Sequence, residues 1–187
     1  VSYKNIDWDK RFILWRHDVD YSLNRALELA KIEAKNKVTS TYFININSEF
    51  YNLMESSQSE LIKKIISFGH DIGIHLDTTA NFISKNNSIE EILNNQKKLF
   101  IKLFDLCPTA FSFHNPQKTD YNYENFLYEG LVNCYSKKFK DDLPYCSDSN
   151  GYWRFRRLKD VLNEATDYSL QVLTHPGWWQ EKEMSPR

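Results

Sequence analysis

The sequence predicts an α/β fold built on a mostly parallel sheet, either open or closed into a barrel. Short runs of β-branched and aromatic residues alternate along the chain with segments whose apolar residues recur at helical spacing. Repeated β-α units of this kind place their strands side by side and parallel. At 187 residues the chain is expected to form a single domain over 1–187.

The predicted strands are short apolar segments. VTSTYFIN is typical of a strand because it combines β-branched and aromatic residues, and DIGIHLD, AFSFHN and YSLQVLTHP share that character. Gly69 and Pro108 end the helices that precede two of these segments. The strands are predicted at 12–15, 38–45, 71–77, 110–115, 131–135 and 168–176.

Each predicted helix has one apolar face. The third begins at Ser88, and Glu91 three residues later has the spacing of a capping box. The segment 141–151 lacks either periodicity and is expected to be a loop. The helices are predicted at about 22–36, 57–68, 88–106, 121–129 and 158–165.

Composition argues against several classes of partner. The formal net charge of −1 gives no nucleic-acid footprint. No apolar run approaches the roughly 20 residues of a membrane span, and no signal-peptide pattern opens the sequence. Cys107, Cys134 and Cys146 are few and widely spaced, which favours a reducing compartment and predicts a cytoplasmic protein. The sequence indicates no oligomeric state.

Ionisable side chains gather at the predicted ends of four strands. Asp18 and Asp20 follow the first strand, His75 ends the third, His114 the fourth and His175 the last. The carboxyl ends of parallel strands share one rim, where active sites of α/β folds lie. Each residue alone has a structural explanation, such as a helix cap or a core histidine. Their coincidence at one rim predicts a functional site.

The two aspartates suit a metal-dependent reaction. Because Asp18 and Asp20 are two positions apart, an extended backbone directs both to one face. One carboxylate can then bind a cation while the other accepts a proton. A mixed Asp/His ligand set suits Zn, Fe, Co or Ni better than Ca or Mg, which prefer oxygen. Three protein ligands leave a position open for water.

Four short motifs give the chain a family resemblance. RHDVD, FGHDIGIHLD, SFHNP and LTHP occur in this order. Together they resemble the motifs of the polysaccharide deacetylase superfamily, the NodB-like carbohydrate esterases, with the first motif in an Asp-x-Asp form. The resemblance implies a distorted (β/α) barrel of about six to seven parallel strands. It also implies metal-dependent removal of an N-acetyl or related acyl group from a sugar.

The resemblance assigns roles by motif. It implies that Asp18 is the general base, that Asp20 and His75 bind the metal, and that His175 is the general acid that protonates the leaving amine. The implied cofactor is a divalent cation, with Zn preferred and Co, Ni or Fe as alternatives. The implied partner is a sugar substrate.

The second motif departs from the family pattern. The family carries another histidine four residues after the first, but Thr79 stands four residues after His75. His114 is the preferred replacement ligand, since it ends the next strand. Asp77 is the alternative, because it shares a strand face with His75.

The third motif also departs, because it lacks the family's Arg-Pro pattern. An arginine elsewhere, Arg16 or Arg154, is therefore expected to hold the base. Asp148 is expected to orient His175 or Arg154. The tryptophans near the C-terminus can stack on a sugar ring or flank its acyl group, with core or rim packing as the alternative. The residues assigned to substrate binding are Arg16, Trp153, Arg154, Trp178 and Trp179.

Three functions fit these observations. The first is deacetylation of a sugar precursor in lipopolysaccharide or capsule biosynthesis, with a nucleotide- or lipid-linked substrate. The second is hydrolysis of another C–N amide bond at the same site. The third is carbohydrate binding without catalysis, which Thr79 favours because the metal site would be eroded. The presence of both an acid and a base argues against this third function.

Overall fold

A computed structural model describes residues 1–80, 87–153, 155–179 and 182. It contains one sheet and five α-helices within those residues. The strands are β1 (Phe12–Val19), β2 (Thr41–Ile44), β3 (Asp71–Leu76), β4 (Ala110–Phe113), β5 (Leu127–Tyr128), β6 (Leu131–Asn133), β7 (Tyr145–Ser147) and β8 (Ser169–Thr174). The helices are α1 (Leu23–Lys35), α2 (Ser56–Ser67), α3 (Ile89–Phe104), α4 (Lys137–Asp142) and α5 (Leu158–Glu164). None of these helices is long and apolar enough to cross a membrane.

The sheet curls into a distorted barrel. Its strand order is β5-β6-β4-β3-β2-β1-β8-β7, and all neighbouring pairs are parallel except β5 with β6. Although β8 and β6 lie near opposite ends of this order, Gln171 of β8 donates a hydrogen bond to the carbonyl of Cys134, just after β6. The predicted barrel is therefore confirmed, with eight strands where six to seven were expected.

The two faces of the sheet bury separate cores. The outer face packs against α1, α2 and α3 around residues such as Ile74 and Phe111. The inner face encloses a second cluster that includes Phe12, Leu14 and Phe43. Gly73 belongs to this inner face, and a Cβ at that position would lie 2.4 Å from the Phe43 ring. The absence of a side chain at position 73 therefore lets Phe43 fill the barrel beneath the site.

Two segments differ from the prediction. Residues 121–129 do not form the predicted α-helix. A 3₁₀-helix spans Asp120–Asn122, and β5 then pairs with β6 in a hairpin whose turn residues, Glu129 and Gly130, both have positive φ. The Asn133 side-chain amide also donates to carbonyls of the preceding extended segment. The segment 141–151 contains the end of α4 and all of β7, which pairs in parallel with β8.

A buried polar network anchors β1 from its outer face. His17 lies 2.7 Å from the Glu33 carboxylate of α1, and Glu33 also accepts from the hydroxyls of Ser40 and Tyr42. The other ring nitrogen of His17 lies 2.6 Å from the Thr174 hydroxyl of β8. The network thus ties β1 to α1, β2 and β8 directly beside Asp18.

The network predicts a pH-dependent stability. Burial alone would raise the pKa of Glu33, but its hydrogen bonds to His17, Ser40 and Tyr42 hold that pKa below its ordinary value of 4.5. Its stabilising contribution is therefore complete above that value and is lost as the pH falls through the lower folded-state pKa. We expect Glu33→Gln to lower the free energy of unfolding at neutral pH by about 3 kcal/mol. The difference in the free energy of unfolding between the parent and Glu33→Gln should become smaller in acid, as measured by denaturant unfolding.

Glu28 provides the matched control on the same helix. It pairs with Lys31 at 2.6 Å, and both side chains are solvent-exposed. Glu28→Gln should change the free energy of unfolding by at most about 0.5 kcal/mol. Equal losses in the two variants would contradict a stabilising role for the buried network.

Candidate metal and catalytic site

The structure brings the predicted ionisable residues together at one rim of the barrel. Asp18 is the penultimate residue of β1, which extends further than predicted, and Asp20 follows that strand directly. His75 is the penultimate residue of β3, whereas His114 and His175 come immediately after β4 and β8. All five therefore lie at the carboxyl ends of parallel strands, where the sequence placed them.

Three of these residues form a compact ligand set. Oδ1 of Asp20 lies 3.0 Å from Nε2 of His75 and 3.2 Å from Nδ1 of His114, and the two ring nitrogens are 3.1 Å apart. A tetrahedral ion with bonds of about 2.0–2.1 Å separates its ligand atoms by roughly 3.3 Å. The three atoms can therefore hold a small divalent cation with little movement.

The charges of the site also suit a cation. Burial would raise the pKa of Asp20, but hydrogen bonds to His114 and His75 hold it well below its ordinary value, so the group is a carboxylate. Burial would lower the pKa of His114, but contact with Asp20 raises it above 6.5. A cation at this ring would therefore have to displace a proton. The Asn115 amide lies 3.0 Å from Nε2 of His114. The atom in that position is the amide nitrogen Nδ2. A 180° rotation of the amide would bring its oxygen there to accept from Nε2–H, which would leave the Nδ1 lone pair for an ion.

The structure places the alternative ligand away from this set. Asp77 is half-exposed, and its Oδ1 accepts from both the backbone N–H and the hydroxyl of Thr79. Thr79 itself is exposed. The carboxylate of Asp77 is thus engaged in its own loop, while His114 lies beside Asp20 and His75.

A buried arginine pairs with Asp18. Nη2 of Arg16 lies 3.5 Å from Oδ2 of Asp18, and both side chains are fully buried. Nη2 also donates to the Tyr135 hydroxyl, and the guanidinium lies over the rings of Tyr135 and Phe43. Arg16 therefore has the position expected of the residue that holds the base. It has no exposed surface with which to contact a sugar, so its predicted role in substrate binding does not fit this burial.

His175 is oriented by a carboxylate that directly follows the neighbouring strand β7. Oδ1 of Asp148 lies 2.7 Å from Nδ1 of His175, and the same carboxylate accepts from the His175 backbone N–H and from Nε1 of Trp179. Burial would lower the pKa of His175, but the hydrogen bond to Asp148 and the nearby aspartates raise it. Nε2 then faces the site, 3.9 Å from Oδ2 of Asp20.

The cleft over these residues has two connected parts. One part, of about 460 Å³, is lined by the ionisable residues and by Leu173 and Trp178. The other, of about 760 Å³, shares Asp20 and His114 with it and carries a series of side-chain amides. These amides belong to Asn45, Asn47, Asn115 and Gln117.

The predicted tryptophans lie beside this cleft. Trp178 lines the smaller part of the cleft and also a separate groove against α1, which Trp153 and Trp179 share. Trp153 is partly buried against the core, whereas Trp179 is 45% exposed. Of these three tryptophans, only Trp178 therefore lines the smaller part of the cleft, together with Asp18 and His175. Arg154 lies outside the described residues.

Two residues of the site were missed at the sequence level. Ser112 is fully buried on β4, with its hydroxyl 2.8 Å from Nδ1 of His75 and 3.3 Å from Oδ1 of Asp18. Tyr135 contacts Arg16. A signal for Ser112 existed, because it is a polar residue two positions before His114 in an apolar strand and so shares its face.

Comparison with known proteins identifies the fold. No family model and no curated protein matches the chain. Among solved structures, a CE4 family pseudoenzyme from Bacillus anthracis is similar over 90% of this chain and 56% of its own, with 17% identity and a TM-score of 0.51. A mutant of it with restored enzymatic activity is similar over 57% of its length, so the chain spans little more than half of either.

Two further structures cover more of the compared chain. The peptidoglycan deacetylase PdaC from Bacillus subtilis is 14% identical over 91% of this chain and 77% of its own, with a TM-score of 0.53. A family 4 acetyl xylan esterase from Clostridium thermocellum, in complex with cobalt, is 17% identical over 92% and 76%, with a TM-score of 0.53. The family resemblance seen in the motifs is thus confirmed at the level of the fold, and the chain has the fold of the CE4 polysaccharide deacetylases.

Proposed function

We propose that the protein is a metal-dependent hydrolase that removes an N-acetyl or related acyl group from a sugar. The observation that carries this proposal is the convergence of Asp20, His75 and His114 within hydrogen-bond distance of one another, beside a base and an acid. The mixed oxygen and nitrogen ligands favour Zn, with Co, Ni and Fe as alternatives. The fold supports a deacetylase.

The residues divide the chemistry among them. A bound divalent cation would supply Lewis-acid polarisation of the acyl oxygen and a lower pKa for the attacking water. Asp18, held by Arg16, accepts the proton of that water. His175, protonated and oriented by Asp148, donates a proton to the leaving nitrogen. Leu173 and Trp178 offer an apolar wall for the acyl methyl group.

The cleft supports a sugar as the substrate. Side-chain amides both donate and accept hydrogen bonds, as sugar hydroxyl groups require, and four of them line the larger part of the cleft. Proteins with a similar fold include a peptidoglycan deacetylase and a chitin deacetylase, and both polymers carry N-acetylated sugars. A nucleotide- or lipid-linked precursor in surface-polysaccharide assembly remains our prediction for the substrate, as does the cytoplasm for the location.

The second candidate function is carbohydrate binding without catalysis. Its support is the similarity to a pseudoenzyme together with Thr79 at the family's usual histidine position. Metal content separates the two candidates, because a binder has no need for a cation beside an acid and a base.

We expect the purified protein, after reconstitution with Zn, Co or Ni, to hold the metal near stoichiometrically. Asp20→Ala, His75→Ala and His114→Ala should each lose it, because each removes one of three ligands. Asp77→Ala is the matched control and should retain it. Elemental analysis measures all five proteins. Retention in His114→Ala with loss in Asp77→Ala would reverse the ligand assignment, and absence of metal in the parent would favour the non-catalytic binder.

Asp18→Asn should lower the rate of acetate release from N-acetylated chito-oligosaccharides by about 10²- to 10⁴-fold, because the base is lost. Its metal content should stay at the parent level, since Asp18 lies outside the ligand set. Unchanged acetate release at parent metal content would exclude Asp18 as the base.

The pH dependence of kcat should report the pKa of His175. Because the acid must carry a proton, activity should fall on the alkaline side, and the raised pKa of His175 moves that limb to higher pH. Asp148→Asn removes the hydrogen-bonded charge that raises this pKa, so the alkaline limb of kcat should shift to lower pH. Asp77→Asn removes a carboxylate from the same rim without touching His175, and it should leave the limb in place. Equal shifts of the alkaline limb in the two variants would attribute the raised pKa of His175 to the total negative charge of the rim and not to its hydrogen bond with Asp148.

A further inference from the structure

We infer that Ser112 is a positioning residue that fixes the proton of a metal-ligand histidine and links that histidine to the base. Its hydroxyl accepts from Nδ1–H of His75 and donates to Asp18. The inference deepens the proposed function and rests on it for the identity of the ligand and the base.

The backbone places Ser112 for this role. Ser112 and His75 are directly opposite one another in the pairing of β4 with β3, so their side chains leave the sheet on the same inner face. The serine is fully buried, and its hydroxyl lies 2.8 Å from Nδ1 of His75 and 3.3 Å from Oδ1 of Asp18. No bulk water competes for these contacts.

The direction of the two hydrogen bonds follows from their partners. Asp18 lies beside the Arg16 guanidinium and, as a carboxylate, only accepts hydrogen bonds. The single proton of the Ser112 hydroxyl is therefore given to Asp18. Its oxygen must then accept from His75, so the neutral ring carries its proton on Nδ1. Nε2 is left with a lone pair, 3.0 Å from Oδ1 of Asp20, where the cation would lie.

Without the hydroxyl, the geometry favours the opposite tautomer. The next acceptor for Nδ1–H is Oδ2 of Asp18 at 3.8 Å, which is beyond hydrogen-bond distance. A proton on Nε2 would instead donate to Oδ1 of Asp20 at 3.0 Å. That arrangement occupies the lone pair that a metal requires. Ser112 thus keeps His75 ready to bind the cation.

Ser40 offers a closely matched control. It is also a buried serine, its hydroxyl lies 3.2 Å from Nδ1 of His70, and it donates to the Glu33 carboxylate at 2.6 Å. Both serines thus place a buried hydroxyl between a histidine and a carboxylate, although Nδ1 of His70 also accepts from the Ser40 backbone N–H. His70 is outside the ligand set. Ser40→Ala therefore reports the cost of losing a buried hydroxyl between a histidine and a carboxylate.

The first measurement is the dissociation constant for Zn or Co, determined by competition with a chromophoric chelator. We expect Ser112→Ala to bind the metal about 10- to 100-fold more weakly than the parent, the usual effect of removing a hydrogen bond behind a metal ligand. Ser40→Ala should bind it like the parent. Equal affinities in the two serine variants would overturn the inference.

The second measurement needs no metal. Long-range ¹H–¹⁵N NMR spectra of the metal-free protein, at a pH where the ring is neutral, distinguish the two imidazole tautomers, and His75→Gln identifies the signals. We expect Nδ1–H in the parent and in Ser40→Ala, and Nε2–H in Ser112→Ala. A His75 ring that keeps its proton on Nδ1 in Ser112→Ala would refute the role of Ser112. If the parent binds no metal, the proposed function fails, and the tautomer still decides the inference about Ser112.

Discussion

Buried charge on a single strand is the constraint on which the rest of this structure depends. Within five residues, β1 and the position after it carry Arg16, His17, Asp18 and Asp20, all wholly or largely removed from water. A charge in that environment persists only if it is compensated. Strand alternation sends His17 to Glu33 on the outer face and the other three to the inner face. There Arg16 compensates Asp18, while Asp20 is left to the histidines of β3 and β4.

This division of partners explains how the site can tolerate Thr79. In the family pattern both metal histidines come from one motif, but in the ligand set proposed here the second histidine, His114, follows the adjacent strand β4. Because β3 and β4 are parallel neighbours, the ends of both strands meet over Asp20, and His114 reaches the same oxygen as His75. Arg16, the arginine proposed to hold the base, likewise lies outside the third motif, two residues before Asp18. On this proposal the site has the charge pattern that the family resemblance implies, with residues from different segments.

Much of the rim was predictable from the sequence, because it follows from two periodicities. Strand alternation put Asp18 and Asp20 on one face, and the parallel sheet put His75, His114 and His175 at one edge. The features that were not predicted depend on contacts with other elements of the fold. Glu33 resembles an ordinary surface acid, although it falls on the buried face of α1, and only the folded sheet shows what faces it. Residues 121–129 resemble a helix in composition, but the pairing of β5 with β6 and the bonds from Asn133 override that preference.

The placement of the three proposed ligands at the carboxyl ends of β1, β3 and β4 has a thermodynamic consequence. Asp20, His75 and His114 are separated by 55 and 39 positions along the chain, so the unfolded polypeptide offers no comparable site. An ion that binds only the native state stabilises it by mass action, by about 2.7 kcal/mol at a free concentration of 100 times the dissociation constant. The cation would then connect the ends of three strands and stabilise the fold, in addition to taking part in the reaction. Metal scarcity in the cell would therefore reduce the amount of folded protein along with the rate per molecule.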